Sequence, residues 1–210
     1  MNVRDLRNIG RKLSQTAKGF EDAARYYYGD DRWRYVSFFY YSFFRVNTFL
    51  VFENILDKDL PVLELGPEFK IMKPTMEELQ ELRQGKTLPR EFYYDDVCKA
   101  RECYLVLCGQ DLAYIHWVFF EGDYSRFFLF GADVAELNYN ITMPRFRGRY
   151  LSAKVMAYIS RDLKERGFRK AVGAIHEHNI ASIKCIKRAG FREAFRIRAL
   201  GQFNRKYSIS

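Results

Sequence analysis

From residue 69 onward the sequence predicts an α/β fold with helices packed on a mixed sheet, and three patterns carry that expectation. Apolar runs over Cys103–Cys108 and Leu112–Phe120 flank a Gly109-Gln110-Asp111 turn and read as a hairpin. Leu151, Val155, Ile159 and Leu163 lie on one helical stripe. The strand-like Ala135–Thr142 precedes that helix and the short apolar Ala171–Ile175 follows it, an alternation typical of layered α/β domains.

Taken in order, Leu6, Ile9, Leu13, Ala17, Phe20 and Ala24 recur at helical spacing with Arg4, Arg7, Arg11 and Lys18 between them, which predicts an amphipathic helix. Tyr35–Phe52 is dense in aromatic residues but is interrupted by Arg45 and Asn47, so buried strands or a homodimer surface are expected rather than a membrane span. Pro61–Pro67 reads as a connector, and Phe69–Lys73 as a strand. Thr75 and Glu78 form a capping box that starts a helix with Leu79 and Leu82 inward. A second helical stretch covers about Arg90–Ala100. In Ala135–Thr142, strict alternation would point Glu136, Asn138, Asn140 and Thr142 one way and Leu137, Tyr139 and Ile141 the other. Gly167 ends the long helix, Asn179 N-caps another bearing Ile183 and Ile186, Gly190 ends that one, and Phe191–Ser208 supplies the last strands.

At 210 residues with 48% hydrophobic composition, the chain is long enough for one sizeable domain and an extension. No charged and apolar leader pattern opens it, so a cytoplasmic protein is expected. Cys98, Cys103, Cys108 and Cys185 make no C-x-x-C pair and no zinc-ligand array; they read as small buried apolar residues, and no metal is expected. The net charge of +9 is uneven: residues 144–210 hold seventeen Lys and Arg against four Asp and Glu, whereas residues 67–143 hold eight against thirteen. The C-terminal third therefore attracts polyanions, whether a phosphorylated cofactor, an acidic carrier protein, an acidic membrane or nucleic acid.

Chemistry concentrates at Pro144-Arg-Phe-Arg-Gly-Arg-Tyr-Leu-Ser152, where a strand passes through a basic turn into the long helix. The first N–H groups of a helix lack intrahelical partners, and its dipole adds positive charge, so such a turn suits phosphate. Arg145, Arg147 and Arg149 add to that field. A solvated basic loop is the plainer alternative, because one glycine is a weak phosphate-loop signal.

Two segments resemble motifs of the GNAT (GCN5-related N-acetyltransferase) superfamily. Arg147 matches the start of its Arg/Gln-x-x-Gly-x-Gly/Ala motif, with Pro144 and Phe146 in the lead-in, while Tyr150 and Ser152 stand where the family usually has glycine or a small residue. Downstream, Asn179-Ile-Ala-Ser182 through Arg188, Gly190 and Phe191 is similar to the family's Asn-x-x-Ala/Ser-x-x-Leu-Tyr-x-Lys-x-Gly-Phe signature. The resemblance covers about residues 69–207 and divides the chain into an N-terminal extension, 1–66, and an acyltransferase domain, 67–210.

The resemblance implies a GNAT-like acyl-CoA N-acyltransferase fold whose cofactor is acetyl-CoA or another acyl-CoA. It implies a V-shaped opening between Ala135–Thr142 and Ala171–Ile175, with backbone groups at Ile141 and Thr142 binding the pantetheine arm. Arg147, Gly148, Arg149, Tyr150, Leu151 and Ser152 would then hold the pyrophosphate, with Asn179 and Ser182 nearby. Many relatives protonate the leaving thiolate with a Tyr; Ile186 stands there in this sequence. Glu136 is the expected general base, and His176 and His116 are candidates to relay a proton. The expected activity is acetyl transfer to the primary amine of a small molecule, such as an amino sugar or amino acid, by direct attack in a ternary complex. The alternatives are a longer-chain transferase using acyl-CoA or an acyl carrier protein, a catalytically silent CoA-binding module, and a nucleic-acid-binding module.

Overall fold

The Glu78 carboxylate accepts the Thr75 N–H at 2.8 Å and the Thr75 hydroxyl accepts the Glu78 N–H at 3.2 Å, so a helix starts where the capping box places it. The computed structural model describes Val36, Tyr40 and residues 44–57, 59–200 and 205–209. Its elements are β1 (Val46–Ile55), β2 (Phe69–Met72), α1 (Met76–Arg83), a 3-10 turn at Arg90–Tyr93, α2 (Tyr94–Cys98), β3 (Glu102–Cys108) and β4 (Asp111–Phe119). They continue with β5 (Phe128–Phe130), β6 (Val134–Thr142), a 3-10 turn at Pro144–Phe146, α3 (Leu151–Glu165), β7 (Lys170–His176), α4 (Ile180–Arg188), β8 (Arg192–Leu200) and β9 (Tyr207–Ile209).

Seven strands form one sheet in the order β2-β3-β4-β6-β7-β1-β8. All its pairs are antiparallel except β6 with β7. A parallel pair needs a crossover, which the Pro144–Phe146 turn and α3 supply. The fold is thus the mixed α/β class read from the sequence, with helices beside a mostly antiparallel sheet.

The α3 stripe packs on one sheet face: Leu151, Val155, Ile159 and Leu163 are each at most 1% exposed and share a core with Leu50, Phe52, Tyr114 and Leu137. Leu79, Phe92, Ile115, Trp117 and Ile141 form a core on the other face. Ile159→Ala is expected to lower the unfolding free energy by about 3 kcal/mol, through lost burial and an unfilled cavity. A urea titration checks this as a shifted midpoint at unchanged slope.

Two sequence expectations change. Residues 46–55, grouped by sequence with the N-terminal extension, form an inner strand of the sheet: β1 lies between β7 and β8, and the chain divides between Arg45 and Val46 rather than near residue 66. The cause is burial, since Leu50, Val51 and Phe52 are 7%, 1% and 0% exposed. So the end of the aromatic segment runs into a strand that is buried at Leu50–Phe52, whereas Val36, Tyr40 and Phe44 are exposed, and the helix expected over the first 25 residues lies outside the described residues.

The second change concerns β6. Its pairing with β4 shifts register between His116 and Trp117, which face Asn140 and Asn138, so Tyr139 is an extra residue with φ 49°. Such a bulge reverses the side-chain alternation beyond it. Leu137 therefore packs in the α3-side core and Ile141 in the opposite one, although simple alternation put them on one face. The C-terminal segment supplies the last strands as read, a long β8 and a short β9 that pairs with β5 in a separate parallel ribbon. Of the four cysteines only Cys103 is buried; the others are half-buried, and all are free thiols. Among the described residues, no helix is long and apolar enough to cross a membrane.

Candidate functional site

The parallel pairing of β6 and β7 covers only three rungs, Val134↔Lys170, Ala135↔Ala171 and Glu136↔Val172, although both strands continue beyond them. Gly173, the next residue of β7, allows a last close approach, since a Cβ there would lie 3.1 Å from the Leu137 carbonyl oxygen. Past that point the strands part. Backbone groups along a strand alternate between its two edges, so about half of those in Leu137–Thr142 turn away from β4 and toward the gap. A cavity of about 230 Å³ fills it, with Tyr94 and Tyr139 on one side and His116, Ser152, Met156 and Ile186 on the other.

The start of α3 lies at this gap, Ser152 being part of its wall. The turn before it holds Gly148 at φ 81°, a left-handed conformation that glycine adopts without strain. Tyr150, the N-cap, is also left-handed, at φ 56°, and no side chain caps the first N–H groups of the helix. Uncapped N–H groups at a positive helix end suit an anion. Phe146 is buried edge-on against Phe69 and anchors the turn. Arg145, Arg147 and Arg149 are exposed: Arg145 pairs with Asp111, Arg149 pairs with Glu68 at 3.1 Å, and Arg147 Nε donates to the Thr142 carbonyl at 3.3 Å. Exposed pairs of this kind are weak enough to exchange for a phosphate.

The sequence matches the Acetyltransferase (GNAT) family over residues 73–191. The chain belongs to this family. No curated protein matches it. Among solved structures, a GNAT-family acetyltransferase from Colwellia psychrerythraea is 20% identical over 73% of this chain and 55% of its own, with a TM-score of 0.53. A GNAT-family putative acetyltransferase from Novosphingobium aromaticivorans is 18% identical over 73% and 63%, with a TM-score of 0.52. A glucosamine N-acetyltransferase region of a fungal multi-domain β-N-acetylglucosaminidase is 16% identical over 80% and 23%, with a TM-score of 0.55. The chain thus spans less than two thirds of each of these structures, and at such identities they show a shared fold.

Within this GNAT domain the expected site residues fall into three groups. His116, Ser152, His176, Asn179, Ser182 and Ile186 come together in the cavity wall. Arg147, Gly148, Arg149, Tyr150 and Leu151 gather at the helix start, Leu151 being buried as part of the α3 stripe. Glu136 lies at the last paired rung rather than in the wall; its carboxylate accepts from Asn138 Nδ2 at 2.9 Å, and Asn138 does line the cavity. Burial pushes the Glu136 carboxyl up to about 7, against smaller opposing contributions from hydrogen bonds with Ser125 and Asn138. Ile141 and Thr142 sit near the end of β6 opposite Ile115 and Tyr114, Ile141 buried and Thr142 half-buried.

Two expected roles are narrowed by geometry. His176 Nδ1 accepts the His178 backbone N–H at 3.2 Å, which leaves Nε2 to donate to Asn47 Oδ1 at 3.1 Å. With both ring nitrogens in contact, His176 ties β7 to β1. Asn179 Oδ1 accepts the Ser182 N–H at 3.2 Å and so caps α4. Among the described residues, no cluster of three or more His, Cys, Asp or Glu could hold a metal ion.

Sequence reasoning missed Tyr114, whose buried hydroxyl joins His116 to Ser152, and Tyr139, whose bulge shapes the gap. Tyr114 could have been found, because it precedes His116 by two residues and shares its strand face. The bulge has no comparable sequence signal. Asn47 belonged to a segment that sequence placed outside the domain.

Proposed function

We propose that this GNAT domain transfers an acetyl group from acetyl-CoA to the primary amine of a small molecule, such as an amino sugar or amino acid, by direct attack in a ternary complex. One observation carries the reading: β6 and β7 part immediately after Glu136, leaving strand-edge backbone groups and an uncapped helix start facing one cavity. An extended amide-bearing arm ending in phosphates fits that arrangement, since an amide chain can pair with a free strand edge and phosphates with helix N–H groups.

Bound acetyl-CoA would supply the activated acyl carbon. The free edge of β6 would orient the arm, with Ile141 and Thr142 near its outer end. Gly148 to Ser152 would hold the pyrophosphate, helped by Arg147 and Arg149, and Ser182 would flank the arm from α4. Glu136 would take the proton of the attacking amine through water, its raised proton affinity suiting a base near neutral pH. Calorimetric titration of acetyl-CoA into the whole chain is expected to give saturable one-to-one binding. Thiol release in the presence of amino sugars or amino acids is then the activity expected; absence of acetyl-CoA binding would sink the reading.

A further inference from the structure

The bulge in β6 does more than reverse the side-chain alternation. Its extra residue, Tyr139, falls between the rungs to β4, and its backbone N–H is accepted instead by Asn138 Oδ1 at 2.8 Å. The nitrogen of the same amide, Nδ2, donates to Glu136 Oε1 at 2.9 Å. These two contacts fix which way the amide points. A backbone N–H can only donate and a carboxylate can only accept, so exchanging the amide oxygen and nitrogen would set donor against donor and acceptor against acceptor.

Asn138 thus couples the bulge to Glu136. It is half-buried and lines the cavity, whereas Glu136 is 1% exposed and lies behind it at the last paired rung. A second donor reaches the same carboxylate. Ser125, 2% exposed, hydrogen-bonds to Glu136, and its oxygen accepts the Phe128 N–H at 3.0 Å, which leaves the hydroxyl proton for the carboxylate. Hydrogen bonds of this kind are stronger to an ionised oxygen than to a neutral one, so both favour the charged form.

We infer that Asn138 is a positioning residue of this transfer: its amide, locked by the bulge at Tyr139, holds the Glu136 carboxylate in the form that accepts a proton. The inference rests on the reading of Glu136 as the base of an acyl-CoA-dependent transfer. The proton leaves the attacking amine nitrogen and bonds, by way of water, to a Glu136 oxygen; the amide keeps both of its own. The surroundings agree. Burial pushes the Glu136 carboxyl up to about 7, and the hydrogen bonds from Ser125 and Asn138 are the largest influences opposing it. The other titratable groups that Glu136 faces are Cys98 of α2, Tyr124 between β4 and β5, Tyr139, and Lys206 just before β9. Burial raises the thiol and both phenols, so these three are uncharged at working pH, and the Lys206 ammonium opposes the burial less than either hydrogen bond does.

The test follows the Glu136 carboxyl carbon by NMR in protein carrying isotope-labelled glutamate, its signal identified by its loss in Glu136→Gln, together with the pH profile of thiol release. Asn138→Ala removes the donor and is expected to move both midpoints upward by about one pH unit, the order expected when a hydrogen bond to a charged group is lost. Rates measured well above the moved midpoint should recover toward the wild-type value, which a merely structural defect would not allow. Asn138→Asp keeps an oxygen for the Tyr139 N–H, so it serves where Asn138→Ala does not fold. It sets a second carboxylate against Glu136, and the pair should lose its last proton at a pH higher than the wild-type midpoint by about one unit or more. A carboxyl midpoint unmoved in both variants overturns the inference, as does a rate lost equally at every pH. If the midpoint moves but the wild type releases no thiol from acetyl-CoA with amino sugars or amino acids, the acyl-CoA reading has failed and the coupling of Asn138 to Glu136 stands.

Discussion

Glu136→Gln is expected to lower the transfer rate by about a hundredfold to a thousandfold, the usual contribution of a positioned general base. Glutamine keeps the shape and can still accept from Asn138, but it cannot take a proton. Acetyl-CoA affinity should stay near the wild-type value, because Glu136 lies at the vertex where β6 and β7 are still paired and not along the open edge. The wild-type rate should rise with pH through about 7 as the carboxyl ionises, and the variant should lack that limb. The same shift affects stability with a definite sign. The folded carboxyl binds its proton more tightly than the unfolded one, whose value is near ~4.3. Between those values the folded state holds more protons, so raising the pH through that window costs the wild type stability. Glu136→Gln should therefore be the more stable protein at pH above about 7 and gain little at acid pH; thermal melts across that range check it. A variant with unchanged rate and unchanged pH profile would remove Glu136 from the base role.

Gly148→Asp is expected to weaken acetyl-CoA binding by about a hundredfold or more while leaving the fold standing. Space is not the obstacle, since a Cβ at this position would meet nothing within 4 Å. The obstacles are conformation and charge: φ of 81° disfavours a side chain, at a cost of about 1 kcal/mol or somewhat more. The new carboxylate would also stand beside the N–H groups proposed to hold pyrophosphate and repel it. Gly148→Ala, which carries the strain without the charge, should fall between the two. Calorimetry on the three proteins separates the contributions, and identical affinities would mean that this turn does not contact the cofactor.

Much of this domain is legible in local sequence. The capping box at Thr75 and Glu78, the stripe of α3 and the hairpin turn at Gly109 are each decided by residues within a few positions of one another, and the structure places all three as read. The turn proposed to hold phosphate was visible for the same reason, as a strand, a glycine and a helix start in sequence. The proposed acid and base chemistry was less legible. Three histidines lie near the gap or beside it, but which of them has a nitrogen to spare depends on partners far away in the chain. Asn47 engages His176 across 129 residues, whereas the buried Nε2 of His116 has no hydrogen-bond partner among the described residues.

The sequence by itself determined the class of fold and the family, and offered the helix start at Gly148–Ser152 as the proposed place for an anionic cofactor, because propensity, capping and hydrophobic period act over short spans. Only the tertiary structure decided that Val46–Ile55 belongs inside the sheet, that the bulge at Tyr139 turns Leu137 and Ile141 to opposite faces, and that burial holds Glu136 near neutrality while keeping His116 uncharged. These depend on strand pairing and desolvation, which arise from residues distant in sequence and brought together only on folding.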